Sequence, residues 1–284
     1  WSRIKQFADI ADRDGLLFIQ DHYLQHNIIE EGAHWADYPW RSANNINDVD
    51  FPENVYYAGD KRVFMADQFY DVSHPVRAKY HRQNIRKHLD ELADCGNVIH
   101  HLGLEYTGPS FFIKFWLDVI CEWEQETGRD VLVMVSATKD MMDDVLTDAT
   151  YTPMVDVIDI RQWHYRSDGS LYAPEGGVSL TQRQYIRIID AGTDDLDAVY
   201  RAVTEYRSAY PDKAVVDNLR RAKDKDWVAY LAGASLCNIP KVEIPRFYDD
   251  AVQMVPMEQV TSKGKYWGMG EPSIGYIIYS TPGE

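Results

Sequence analysis

Apolar residues recur along this chain with two alternating periods. Ile4, Phe7, Ala8 and Ala11 keep the three-and-four spacing of one helix face over 3–14, and Gly15 closes that helix. Leu16-Leu-Phe-Ile-Gln-Asp-His-Tyr23 reads as a buried strand, followed by a long polar and aromatic loop over roughly 24–73. His74-Pro75 opens a second helix with Ile85, Leu89, Leu92 and Ala93 on one side. A strand over 97–105 comes next, then a strongly amphipathic helix carrying Phe112, Phe115, Trp116, Val119, Ile120 and Trp123. The same alternation predicts a strand over 131–135, a short helix over 139–147 and a strand over 155–165. Helices over 181–190 and 194–209 precede a short strand over 213–217 and a helix from Trp227 to about Cys237. Val242-Glu-Ile244 reads as a last strand and 247–257 as a closing helix.

Strand and helix in alternation mean a parallel sheet with helical crossovers. The expected fold is α/β, a (β/α)8 TIM barrel. Six candidate strands do not close such a barrel, so its first strand, first helix and second strand are expected to be missing from this chain, roughly 50–70 residues. Residues 1–258 would form the incomplete barrel. Tyr266-Trp-Gly and Gly275-Tyr-Ile-Ile-Tyr-Ser280 place 259–284 at the start of a β-sandwich, or in the linker to one. An open doubly wound sheet is the other architecture with this alternation, but no strand leads into a Gly-rich phosphate loop.

In a barrel the chemistry sits at the carboxyl ends of the strands. Those ends offer Asp21, His22 and Tyr23; Glu105 and Tyr106; Ser136 and Thr138; Arg161, Trp163, His164 and Tyr165; and Asp217 and Asn218. Glycoside hydrolysis requires two carboxyl groups flanking the bond. Glu105 ends an otherwise uncharged run, Gly96-Asn-Val-Ile-His-His-Leu-Gly-Leu-Glu105, and is the expected acid/base. Asp217 is the expected second carboxylate, with Asp21 and Glu175 as competitors. Asp159, two residues before Arg161, is expected to face the barrel interior below the site. Trp163, His164 and Tyr165 are expected to line a sugar subsite, and Asp21 and His22 to contact substrate at the end of the first strand. Arg161 would take an acidic group on the sugar or pair with an internal Asp. Trp35, Tyr38 and Trp40 would either stack on sugar or pin the long loop.

Composition narrows the partners. A net charge of −16 excludes the basic footprint that nucleic acid or an anionic membrane needs. No run reaches the ~18 apolar residues of a membrane span. The 19 Tyr and 8 Trp residues supply amphipathic rings that suit sugar faces as well as packing. Cys95, Cys121 and Cys237 show no metal or disulfide spacing and read as buried free thiols. His100-His101 and Asp21-His22 are adjacent pairs that point to opposite strand faces, so no metal and no cofactor are expected.

The order of strand ends, with Glu105 closing the fourth barrel strand and an acid closing the seventh, resembles the large clan of retaining (β/α)8 glycoside hydrolases. The runs Asn97–Gly108, Ser136-Ala-Thr-Lys-Asp140, Asp156-Val-Ile-Asp-Ile-Arg161 and Leu171-Tyr-Ala-Pro-Glu-Gly-Gly177 look closer still to poorly characterised bacterial proteins. Those are multidomain, secreted and associated with polysaccharide breakdown. The resemblance covers most of 1–245 and implies a secreted or periplasmic enzyme acting on a plant or algal polysaccharide or oligosaccharide. Two positions depart from it: Leu104 stands where the clan has Asn, and Asp217 where it has Glu. The Asn of the clan holds the sugar 2-hydroxyl, and a shorter second acid either sets the carboxyl groups further apart, as in inverting enzymes, or marks a lost activity. A non-catalytic carbohydrate-binding barrel and a uronate-directed polysaccharide lyase are the alternative functions. Sugar, linkage, stereochemistry and oligomeric state are not encoded in any of these patterns.

Overall fold

The computed structural model describes residues 1–25, 28, 38–51, 67–104, 106–177, 195–217, 225–257 and 266–281. The chain is mixed α/β, with five parallel strands among these residues, distributed over two compact units. The first unit comprises 1–156 with 175–186, and the second 157–174 with 187–284.

The first unit runs α1 (Ser2–Arg13), β1 (Phe18–Asp21), α2 (Pro75–Leu92), β2 (Val98–His101), α3 (Ser110–Thr127), β3 (Leu132–Ser136) and α4 (Lys139–Thr147). Pro75 starts α2, where its missing N–H costs nothing. Gly128, at φ 69°, ends α3 with its N–H on the Glu124 carbonyl at 2.8 Å. The three strands are parallel in the order β1-β2-β3, with Phe18 opposite Val98 and Asp21 opposite His101. Asn97 fastens the start of β2 by donating to the carbonyls of Ala8 at 3.0 Å and Leu16 at 3.1 Å. Helix α3 buries Phe112, Ile113, Trp116, Leu117, Val119, Ile120 and Trp123. Each such side chain contributes roughly 1.5–3 kcal/mol by leaving water, which is why this helix anchors the layer.

Aromatic residues from the long loop pack onto α2 and α3. Trp40 stacks on His81 at 4.7 Å, and Phe69 lies against Tyr23, Phe51 and His81. The described loop aromatics Tyr38 and Trp40 therefore pin the loop down. Trp35 lies outside the described residues, as does the helix expected over 181–190.

The second unit runs β4 (Val157–Asp159), β5 (His164–Tyr165), β6 (Leu171–Tyr172), α5 (Leu196–Ala209), β7 (Ala214–Val216), α6 (Lys225–Leu231), α7 (Phe247–Ala251), β8 (Val255–Pro256), β9 (Tyr266–Glu271) and β10 (Gly275–Ser280). Strands β4 and β7 pair in parallel, with Asp159 opposite Val216. Asp195 caps α5 by accepting the Asp197 N–H at 3.0 Å. Strands β8, β9 and β10 form an antiparallel sheet in which the Tyr276 ring covers Gly270, where a Cβ would come within 2.3 Å of it. The Trp267 indole donates to Asp197 at 2.9 Å, and the Tyr200 hydroxyl faces the carbonyls of Met257 at 2.6 Å and Gly268 at 3.0 Å. The three strands are thereby fastened to α5.

Three expected elements differ. The run read as one strand over 155–165 is two, because Asp159 Oδ1 accepts the Arg161 N–H at 3.1 Å and turns the backbone out of the ladder. His164–Tyr165 then pairs antiparallel with Leu171–Tyr172. Val242-Glu-Ile244 is irregular backbone, flanked by Pro240 and Pro245, which have no N–H for a ladder. The closing helix stops at Ala251, and Val255–Pro256 joins β9 instead.

Candidate functional site

In the first unit the two faces of β1 and β2 carry different histidine chemistry. On the helix-covered face, the Trp116 indole N–H donates to His22 Nδ1 at 3.0 Å. That leaves the His22 proton on Nε2, which donates to His100 Nδ1 at 3.0 Å. His88 stacks on His22 at 4.3 Å. Burial holds His22 well below the usual imidazole range, helped by His88, His100 and His101, and holds His88 and His100 down to about 4. His22 is thus tied into the helix layer, 5% exposed, and does not stand beside Asp21 as a substrate contact.

Asp21 and His101 occupy the opposite face at the carboxyl end of the same strands. The His101 Nδ1–H donates to Asp21 Oδ1 at 2.6 Å; the imidazole is 1% exposed while the Asp21 side chain is 39% exposed. The arrangement fixes the His101 tautomer and presents a held carboxylate to solvent.

Glu105 lies outside the described residues, and hydrogen bonds hold the chain on either side of it. The Tyr23 N–H donates to the Leu102 carbonyl, and Gly103 passes so close to the Tyr23 carbonyl that a Cβ would stand 2.6 Å from its oxygen. Tyr106 bridges Ala137 in parallel. Gln25 clamps the next residue, its amide donating to Thr107 Oγ1 at 2.7 Å and its carbonyl accepting the Thr107 N–H at 3.1 Å. The Gly177 N–H donates to the Thr107 carbonyl at 2.7 Å, and the Gly176 N–H to Asp140 Oδ2 at 2.9 Å. The loop carrying the exposed Glu175 is thus pinned over the start of α4. Ser136 and Thr138 at the end of β3 are buried.

In the second unit Asp217 directly follows β7 and is 7% exposed. It neighbours Cys237, whose thiol is pushed up to about 12 by burial and then by Asp226 and Asp217. Arg161 is committed to Asp159: its Nε and Nη2 both lie 2.5 Å from Asp159 Oδ2, with Arg161 9% and Asp159 0% exposed. That is the internal ion pair, and it takes the guanidinium away from an acidic sugar. Trp163, 1% exposed, is wedged edge-on between Tyr165 and Tyr206, so its ring packs and offers no platform. His164 lies against Tyr172 at 4.9 Å, and the Tyr165 hydroxyl donates to Glu205 at 2.5 Å.

The structure therefore keeps Asp21, Glu175 and Asp217 as described carboxylates at strand ends or in the adjoining loop, and moves His22, Trp163 and Arg161 into packing or pairing roles. Sequence reasoning missed His101 and Gln25. His101 differs from His100 only by facing the other side of β2, and Gln25 sits in a stretch without periodicity. Among the described residues no group of three or more His, Cys, Asp and Glu is placed to hold a metal ion, and no helix is long and apolar enough to cross a membrane. Residues 1–254 match the family model described as Domain of unknown function (DUF6298), and the chain belongs to that family. No curated protein and no solved structure matches the chain.

Proposed function

We propose that this member of the DUF6298 family is a glycoside hydrolase, a (β/α)8-barrel enzyme that cleaves glycosidic bonds in a plant or algal polysaccharide or oligosaccharide and works in a secreted or periplasmic setting. Glu105 is the acid/base and Asp217 the second carboxylate. Asp21, oriented by His101, contacts substrate. One observation carries the reading: two of the parallel strands deliver a carboxylate at their carboxyl ends, Asp21 closing β1 and Asp217 following β7. The carboxyl ends of parallel strands are where α/β-barrel enzymes hold their reacting groups.

In this reaction Glu105 gives its proton to the glycosidic oxygen as the C–O bond breaks. Asp217 either attacks the anomeric carbon or takes a proton from the water that does. Because Arg161 is bound to Asp159, the lyase alternative loses the cation it would need against a uronate.

The test is turnover on a panel of aryl glycosides and plant and algal polysaccharides by the parent chain, Glu105→Gln and Asp217→Asn. Each variant should lose at least a thousandfold in kcat while circular dichroism is unchanged. Full activity in Glu105→Gln would overturn the assignment. Sugar binding without product over the whole panel would point to a carbohydrate-binding barrel instead.

A further inference from the structure

The second unit carries a groove of about 1330 Å³ along α5. Helical spacing builds it: Tyr200, Arg201, Thr204, Arg207 and Ser208 share one stripe and line the groove, while Val199, Ala202, Val203 and Tyr206 turn to the core. Arg166, from the β5–β6 turn, joins them.

The arginines are the unusual feature. The chain is acidic, with a net charge of −16, and Arg77, Arg82, Arg86, Arg129, Arg161 and Arg246 each form an ion pair with a carboxylate. Arg166, Arg201 and Arg207 form none with a described residue. Arg201 donates to the Gly169 carbonyl at 3.2 Å and lies over the Tyr165 ring at 3.6 Å. Arg166 reaches Ser170 Oγ at 3.3 Å and stands 5.3 Å from the Tyr172 ring. Arg207 donates through Nη1 to the Pro211 and Lys213 carbonyls, its Nε is buried against Gly233 with no acceptor among the described residues, and its Nη2 is the edge left over.

The acidic residues lining the same groove are engaged locally: Asp195 caps α5, Asp197 accepts the Trp267 indole, and Asp212 stands 3.5 Å from Lys213. Carbonyl contacts and ring stacking hold a guanidinium in place without neutralising it, so its charge and unused N–H edges are left for an oxyanion. The volume exceeds what one small molecule fills, which favours an extended ligand. Tyr230, half-buried on the wall, offers a ring suited to the C–H face of a pyranose.

We propose that this groove binds an anionic oligosaccharide, its uronate carboxylates taken by Arg166, Arg201 and Arg207. Asp217 is not among the residues lining the groove, so the proposal holds whether or not the chain cleaves what it binds.

The experiment is calorimetric titration of the full chain with hexagalacturonate, with cellohexaose as the neutral arm, a chondroitin sulfate hexasaccharide as the sulfated arm and hexaglutamate as the peptide arm. Hexagalacturonate should bind, more weakly as salt rises, and cellohexaose should not compete for it. Arg201→Ala and Arg166→Ala, both at exposed positions, should each weaken binding at least tenfold with Tm unchanged, and Glu105→Gln should bind as the parent does. Four results would overturn the proposal: no binding of hexagalacturonate, binding untouched by either arginine substitution, binding lost in Glu105→Gln, or equal or tighter binding of the sulfated chain or the peptide.

Discussion

His101 Nδ1 stands 2.6 Å from Asp21 Oδ1 across the β1–β2 register, joining a buried imidazole to an exposed carboxylate. The carboxylate can only accept, so His101 carries its proton on Nδ1, whereas His22, which receives the Trp116 indole on Nδ1, carries its own on Nε2. Long-range 15N–1H correlation spectra at pH 7.5 should show these opposite tautomers. Asp21→Ala should shift His101 toward the Nε2–H form and leave His22 unchanged. An Nε2–H tautomer for His101 in the parent chain would contradict the geometry.

Acid should weaken the first unit before its carboxylates titrate. Burial holds His81, His88 and His100 down to about 4, against 6.5 for the free imidazole. His81 feels Arg77 as well, and His88 feels His100. Between those values the unfolded chain binds more protons than the folded one, so stability is full above about pH 6.5 and falls as pH drops toward 4. One independent imidazole contributes about 3 kcal/mol to this loss, less where neighbours share a proton. Urea unfolding at pH 7.5, 6 and 4.5 should show a falling midpoint, and His88→Leu should flatten the fall. A midpoint constant over that range would show that these imidazoles are not buried neutral.

Asp159 and Arg161 form a pair that neither partner can leave cheaply. With both side chains at 9% exposure or less, Asp159→Ala strands a buried guanidinium and should cost about 3–5 kcal/mol. Replacing both, as Asp159→Leu with Arg161→Met, should recover much of that loss in thermal unfolding. A single substitution that unfolds like the parent would mean the ion pair is not buried.

Gly103 sits where the chain approaches the Tyr23 carbonyl. A Cβ there meets backbone oxygen at 2.6 Å, and backbone cannot rotate out of the way as a side-chain tip can. Gly103→Ala should cost roughly 1–3 kcal/mol and also lower turnover by displacing the segment that leads to Glu105. Gly96→Ala, where nothing lies within 4 Å of the added Cβ, is the control and should be near neutral.

How far the sequence could be read depended on how local each cause was. Helix α4 over Lys139–Thr147 and strand β7 over Ala214–Val216 follow from periodicity, because a helix face or a short apolar run is written in adjacent residues. The break after Asp159 was hidden, since a single side chain folding back on Arg161 outweighs an unbroken apolar pattern. Arg161 was legible as one of two things, an ion pair or a sugar contact, and only three-dimensional placement could choose. His101 and Gln25 act through residues 80 and 82 positions away. No local pattern marks such residues, so the polar framework around the candidate site was the least readable part of the chain.

The fastening of the β8–β10 sheet to α5 has a consequence for the order in which the second unit can form. Asp197 meets Trp267 across 70 residues, and Tyr200 meets Gly268 across 68. Until that segment has been synthesised, α5 has β5 and β7 beside it but lacks the Gly268 carbonyl for Tyr200 and the Trp267 indole for Asp197. Contacts of such span impose a large loop-closure cost before they stabilise anything. Folding of this unit therefore waits for Trp267 and Gly268, and nascent chains arrested before Trp267 should expose α5 to proteases that the completed unit resists.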